Sequence, residues 1–169
     1  MSFRFIDDVG SFQADDKIME ICIDMYGDKL QLNKENEGTT SANILDMAVD
    51  IKDNCIETDL YDKRRDFNFD IVQFPDLRGC IPSKPAYGLV VSQLVRYYKI
   101  CSTDSAFVKN TALLLSNLLT KGFQLNPLMN KVQKFLVQVA PLKYDITTTT
   151  LIQNIHKALP SDFSVVSQP

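Results

Sequence analysis

The apolar residues of this chain change period once, near residues 75–85, and that change restricts the architectures open to it. Before it, Leu45, Met47, Val49 and Ile51 alternate with Asp46, Ala48 and Asp50, the period of a half-buried strand. Lys52-Asp53-Asn54 makes a turn, and Ile56, Thr58 and Leu60 continue an alternating strand back. After the change, Tyr87, Val90, Val91, Leu94, Val95 and Tyr98 recur three and four residues apart, the stripe of an amphipathic helix. Two periods, each confined to its own stretch, specify the α+β class.

The same logic places the remaining elements. Phe3-Arg4-Phe5-Ile6 and Val9-Gly10-Ser11-Phe12 flank Asp7-Asp8 and read as strand, acidic tip, strand. Ile18, Ile21, Cys22 and Met25 sit at helical spacing, with Asp15 and Asp16 in a favourable first turn and Gly27 as the stop. Residues 33–42 carry no apolar period and read as an exposed loop. Tyr61 to Phe74 is dense in aromatic and basic residues, and Pro75, Gly79, Pro82 and Pro85 punctuate an ordered loop.

Ser102 or Thr103 can cap the next helix, with Phe107, Leu114, Leu115 and Leu118 inward and Gly122 as its stop. Asn126-Pro127 opens another, with Leu128, Val132, Phe135, Leu136 and Val139 inward and Pro141 at its end. A short helix is expected over Leu151–Leu159, after the run Thr147–Thr150. The expected organisation is an α+β lobe over 1–75, a helical lobe over 76–140 and a C-terminal tail over 141–169.

The 169 residues are 45% hydrophobic and 23% charged, enough to bury a core and unlike a disordered chain. No apolar stretch is long enough to span a membrane, and the N-terminus reaches Asp7-Asp8 at once. The expectation is a protein without a membrane partner, intracellular, in cytoplasm or nucleus. Cys22, Cys55, Cys80 and Cys101 are scattered, and His156 is the single histidine. That pattern disfavours a zinc site, and it leaves no partner for a Ser–His or Cys–His nucleophile pair.

The net charge of −3 conceals an asymmetry. Residues 1–60 hold 5 basic and 14 acidic side chains, a net −9, whereas residues 61–169 hold 13 basic and 7 acidic, a net +6. Two halves of opposite sign suggest different partners, although uneven scatter of surface charge accounts for it equally well.

The sharpest chemical feature is Arg4-Phe5-Ile6-Asp7-Asp8-Val9. Burying two adjacent unpaired carboxylates is costly, so they belong at a surface. Held side by side they repel each other and favour a divalent cation between them and a phosphate. Polymerases use such carboxylates to hold two magnesium ions. The competing reading is an ordinary acidic turn on a surface hairpin.

The run Arg-Phe-Ile-Asp-Asp-Val resembles the aromatic-x-Asp-Asp box of reverse transcriptases, with Phe5 in place of the usual tyrosine. The helix ending Met25-Tyr26-Gly27-Asp28-Lys29-Leu30 and the hairpin from Ile44-Leu45-Asp46-Met47 through Tyr61-Asp62-Lys63 are similar to the rest of a palm in retroelement enzymes, especially the Penelope-like group. Ser92 through Arg96 to Cys101, then Phe107 and Lys121-Gly122-Phe123, resemble that group's helical region. The likeness covers residues 3–136. It lacks the His-Pro often found before the thumb helices.

The resemblance implies a small antiparallel palm-like sheet with one helix, followed by a helical thumb-like bundle. It makes Asp7 and Asp8 catalytic ligands of Mg2+ and puts Phe5 where the primer terminus packs. It places Lys63, Arg64, Arg65, Arg96 and Lys99 against an RNA/DNA primer–template duplex, with Tyr97 and Tyr98 nearby and Tyr98 in the core by its spacing. Lys63-Arg64-Arg65 reads equally as a solvated turn balanced by Asp62 and Asp66. The family also needs a third aspartate and nucleotide-binding fingers upstream of the box. The expectation is therefore a reverse transcriptase fragment that needs a separate N-terminal palm and fingers segment and is inactive alone. The alternatives are a non-catalytic nucleic-acid-binding remnant and a protein-interaction remnant of a retroelement.

Overall fold

Asp53 and Asn54 both take positive φ, 50° and 61°, the twist that closes a two-residue hairpin, and they fix the register of the central sheet. The computed structural model describes residues 2–5, 8–11, 17–27, 40–69, 71–139 and 143–160. Its strands are β1 (Ser2–Phe5), β2 (Asp8–Ser11), β3 (Ser41–Ile44), β4 (Met47–Lys52) and β5 (Cys55–Leu60). Its α-helices are α1 (Lys17–Tyr26), α2 (Ser83–Ile100), α3 (Asp104–Thr120), α4 (Leu125–Val139) and α5 (Thr148–Ala158), with a 3-10 turn over Lys63–Asp66. The mixed α+β class follows directly.

The strands form two separate antiparallel sheets, β1-β2 and β3-β4-β5. Lys52 faces Cys55 and Met47 faces Leu60, which brings Val49 and Leu60 to buried positions while Ile51 and Ile56 stay exposed at the Asp53-Asn54 end. Two readings of the sequence are corrected here. Residues 41–44 form β3 rather than the end of a loop, because they pair with β4 as its outer neighbour. Leu45 and Asp46 form the turn between β3 and β4 rather than the start of a strand, with Leu45 at a φ of 56°.

The helices account for most of the core. Thr103 is the N-cap of α3, its hydroxyl accepting from Ala106 N at 3.2 Å, and Gly122 at a φ of 81° follows its end. Thr147 caps α5 in the same way through Thr150 N, so the threonine run starts a helix. α2 begins at Ser83, ahead of Pro85. A proline in the first helical turn costs nothing, because its missing N–H has no intrahelical acceptor there.

α2 packs on α4, and α3 on α5, while β5 lies against both α2 and α3. Val90, Leu94, Phe107, Leu115, Leu118, Leu128, Val132, Leu136, Leu151 and Ile155 are fully buried in one cluster that also takes in Leu60 and Phe74. Each such side chain contributes about 1.5–3 kcal/mol relative to exposure. Tyr98 is the aromatic hub, edge-on to Phe107, Phe135 and Tyr144, and its hydroxyl donates to Val139 O at 2.6 Å.

The buried face of α2 is Ala86, Val90, Leu94 and Tyr97, so Val91 and Val95 of the expected stripe point outward. On α1, Cys22 is buried, but Ile21 and Met25 of the expected inward face are exposed, Met25 by 70%. Gly27, at a φ of 66°, closes α1 as its position suggests, its N–H donating to Ile23 O. The expected helix end at Pro141 lies outside the described residues.

Candidate functional site

The first hairpin pairs Phe5 with Asp8, so Asp8 opens β2 instead of sharing a tip with Asp7. Asp7 lies outside the described residues, and Phe5 and Asp8 are described by backbone alone. The expectation that Asp7 and Asp8 stand beside the second hairpin finds no support in strand pairing, since β1-β2 forms its own sheet. Among the described residues no three His, Cys, Asp or Glu side chains gather as metal ligands.

The basic residues expected to meet a duplex gather at one end of the three-stranded sheet, organised by Asp46 in the β3–β4 turn. The Asp46 carbonyl accepts from Tyr61 N at 2.9 Å, and Asp46 Oδ2 accepts from Arg96 Nε at 2.6 Å. This ties the outgoing end of β5 and the middle of α2 to one residue. Immediately after Tyr61, Asp62 caps the 3-10 turn by accepting from Arg64 N at 3.2 Å. It also holds the Arg64 guanidinium, Nε on Oδ1 at 2.7 Å and Nη2 on Oδ2 at 3.0 Å. Asp66, at the far end of that turn, accepts from the Tyr61 hydroxyl at 2.6 Å.

The structure thus separates the expected phosphate-binding residues into two kinds. Arg64 and Arg96 are engaged by carboxylates of the fold, whereas Lys63 and Lys99 are exposed and make no ion pair among the described residues. Arg65 is described by backbone alone. Lys99 lies in the last turn of α2, whose end is stitched to the middle of β5. There Thr58 Oγ1 donates to Ile100 O at 2.5 Å, and Ser102 N donates to Thr58 O at 2.9 Å. Tyr97 is buried and Tyr98 is half-buried in the core, so neither ring is presented to a ligand.

A second polar cluster, missed in the sequence, lies at the seam between β5 and the bundle. Asn110 is 2% exposed on the apolar face of α3, and its Nδ2 donates to Asp59 Oδ1 at 2.6 Å and Ala106 O at 2.9 Å. The Cys101 thiol lies against the same pair, 3.8 Å from Asp59 Oδ1 and 3.6 Å from Asn110 Nδ2. Burial, reinforced by the Asp59 charge, pushes that thiol up to about 11. A thiol held protonated is no nucleophile. The cluster joins sheet to helices and does no chemistry of its own. The available signal was one asparagine amid the inward positions Phe107, Leu114 and Leu118.

A cleft of 690 Å³ opens between α3 and α5, lined by Val108, Lys109, Leu113, Asn154 and Lys157 among others. None of Phe5, Lys63, Arg64, Arg96 or Lys99 lines it. Set against known proteins, the chain matches no family model, no curated protein and no solved structure.

Proposed function

We propose that the chain is the C-terminal palm and thumb portion of a retroelement reverse transcriptase. It would contribute the Asp7-Asp8 hairpin and a duplex-binding helical bundle, and would not polymerise alone. The observation that carries this reading is the order of elements: a hairpin around an acidic pair, one helix, an antiparallel sheet, then packed helices, with acidic surplus first and basic surplus after. The donor chemistry of Asp7 and Asp8, adjacent carboxylates with hard oxygen ligands, suits Mg2+. When bound, the metal would supply charge stabilisation for phosphoryl transfer. Lys63 and Lys99 would contact duplex phosphates without reading sequence.

The test is binding of an RNA/DNA primer–template duplex by the 169-residue chain over a salt series, followed by nucleotide incorporation with an upstream palm and fingers segment supplied in trans. Steeply salt-dependent binding, and incorporation that Asp7→Asn abolishes, are the expected results. Activity unchanged by Asp7→Asn would remove the metal assignment.

A second reading is a non-catalytic remnant that binds nucleic acid or another protein. It is favoured by the pairing of Arg64 with Asp62 and of Arg96 with Asp46, which commits two expected duplex contacts to the fold itself. Duplex binding with no incorporation in the supplemented reaction would select it.

A further inference from the structure

Between Leu60 and Phe74, both buried in the core, the chain makes an excursion whose apolar side chains turn outward. Phe67 is 48% exposed and Phe69 62%, with Ile71 and Val72 exposed beyond them. Leaving two phenylalanine rings in water forgoes a large part of their burial free energy, so such a patch calls for an occupant. The rings lie with centroids 5.3 Å apart and planes tilted by 45°, in contact with each other. Phe67 is held at the end of the Lys63–Asp66 turn, its N–H donating to Arg64 O at 3.4 Å.

The charge of that turn selects the occupant. It places Lys63, Arg64 and Arg65 within four residues of Phe67. Its flanking carboxylates are already engaged, Asp62 by Arg64 and Asp66 by the Tyr61 hydroxyl. Lys63 is exposed with no carboxylate partner among the described residues. Cations alternating with exposed rings suit a flexible polyanion that offers flat apolar faces, which is a description of unpaired nucleotides.

We propose that Phe67 and Phe69 form a stacking platform for single-stranded nucleic acid, with Lys63 meeting its phosphates. The inference rests on the nucleic-acid reading above for the class of ligand and adds the single-stranded state and the residues that receive it. Bases enclosed in a duplex have their faces covered by neighbouring pairs, so the platform discriminates against blunt duplex.

The test is fluorescence anisotropy of labelled oligo-dT and oligo-U against a blunt duplex of equal length, with wild type, Phe67→Ala, Phe69→Ala and Phe69→Tyr. Wild type should prefer the single strands. Each alanine variant should weaken single-strand binding about fivefold or more, and Phe69→Tyr should retain it. Because both rings are exposed, melting temperatures should not move, which separates a binding defect from a folding defect.

No single-strand binding by wild type, or alanine variants that bind like wild type, overturns the platform while leaving any duplex binding and polymerase complementation intact. Single-strand binding that needs the phenylalanines, without incorporation in the supplemented reaction, sustains the platform and removes the polymerase reading. A dimer in sedimentation that Phe69→Ala dissolves, with oligonucleotide affinity unchanged, reassigns the patch to self-association and also overturns the proposal.

Discussion

Asn110 and Asp59 meet across the seam between α3 and β5, amide nitrogen to carboxylate oxygen at 2.6 Å. Asp59 Oδ1 also accepts from Leu60 N at 2.7 Å, and Lys109 Nζ stands 3.8 Å from Asp59 Oδ2. The partly buried carboxylate is therefore satisfied chiefly by groups that the folded chain supplies. Asn110→Leu removes the shortest of these bonds and is expected to destabilise the protein by about 1–3 kcal/mol. Urea unfolding should show a lower midpoint with an unchanged slope.

Asn110→Asp should be worse at neutral pH, because it sets a second carboxylate against Asp59. The new group would have its folded pKa raised, so its contribution to stability declines as pH rises through the carboxylate range. The deficit should shrink towards about pH 4 and be largest near neutrality, a profile that Asn110→Leu does not share. Melting temperatures of both variants across that range check the difference.

Alkaline stability should turn on Cys101. Its folded pKa is raised from 9.0 to about 11, so between these values the unfolded chain loses the proton and the folded chain keeps it. Stability then falls as pH climbs from 9.0 towards about 11. Tyr98 and Tyr144, shifted upward from 10.0 mainly by burial, extend the fall to higher pH. Cys101→Ala should flatten the first part of the decline and leave the tyrosine part. Denaturant midpoints measured at intervals across the alkaline range would show it.

The same burial orders the four thiols by reactivity. Cys55 and Cys80 are exposed, whereas Cys22 and Cys101 are buried. Under native conditions a thiol reagent should modify Cys55 and Cys80 rapidly, and the other two only as the protein opens. Peptide mapping after a timed iodoacetamide pulse distinguishes the pairs.

What the sequence disclosed and what it hid follow from the range of the forces involved. The inward faces of α3 and α4 were legible because their leucines recur at one helical period and no competing stripe exists. α2 was legible as a helix but not in its facing. Six apolar residues cover nearly half its circumference, and packing against α4 and β5, not period, selects Ala86 and Tyr97 over Val91 and Val95. β3 escaped because Ser41-Ala42-Asn43-Ile44 has no bulky alternation, and pairing with β4 creates the strand. The Asp59–Asn110 bond and the Asp46–Arg96 pair join residues 51 and 50 positions apart, and no local pattern encodes such a meeting.

That last pair bears on how the basic residues divide their work. Arg96 and Asp46 are 36% and 45% exposed in their side chains, so the bond between them is screened and worth at most about 1 kcal/mol in a double-mutant cycle. If Arg96 and Arg64 are occupied by Asp46 and Asp62, replacing either by alanine should lower stability slightly and leave the salt dependence of duplex binding nearly unchanged. Lys63→Ala and Lys99→Ala should do the reverse, each reducing the slope of log affinity against log salt by about 1, the share of one neutralised phosphate. A full titration series with the four variants measures both quantities. Equal slopes for Lys63→Ala and wild type, beside a large drop for Arg96→Ala, would mean that ligand phosphate displaces Asp46 from the arginine on binding.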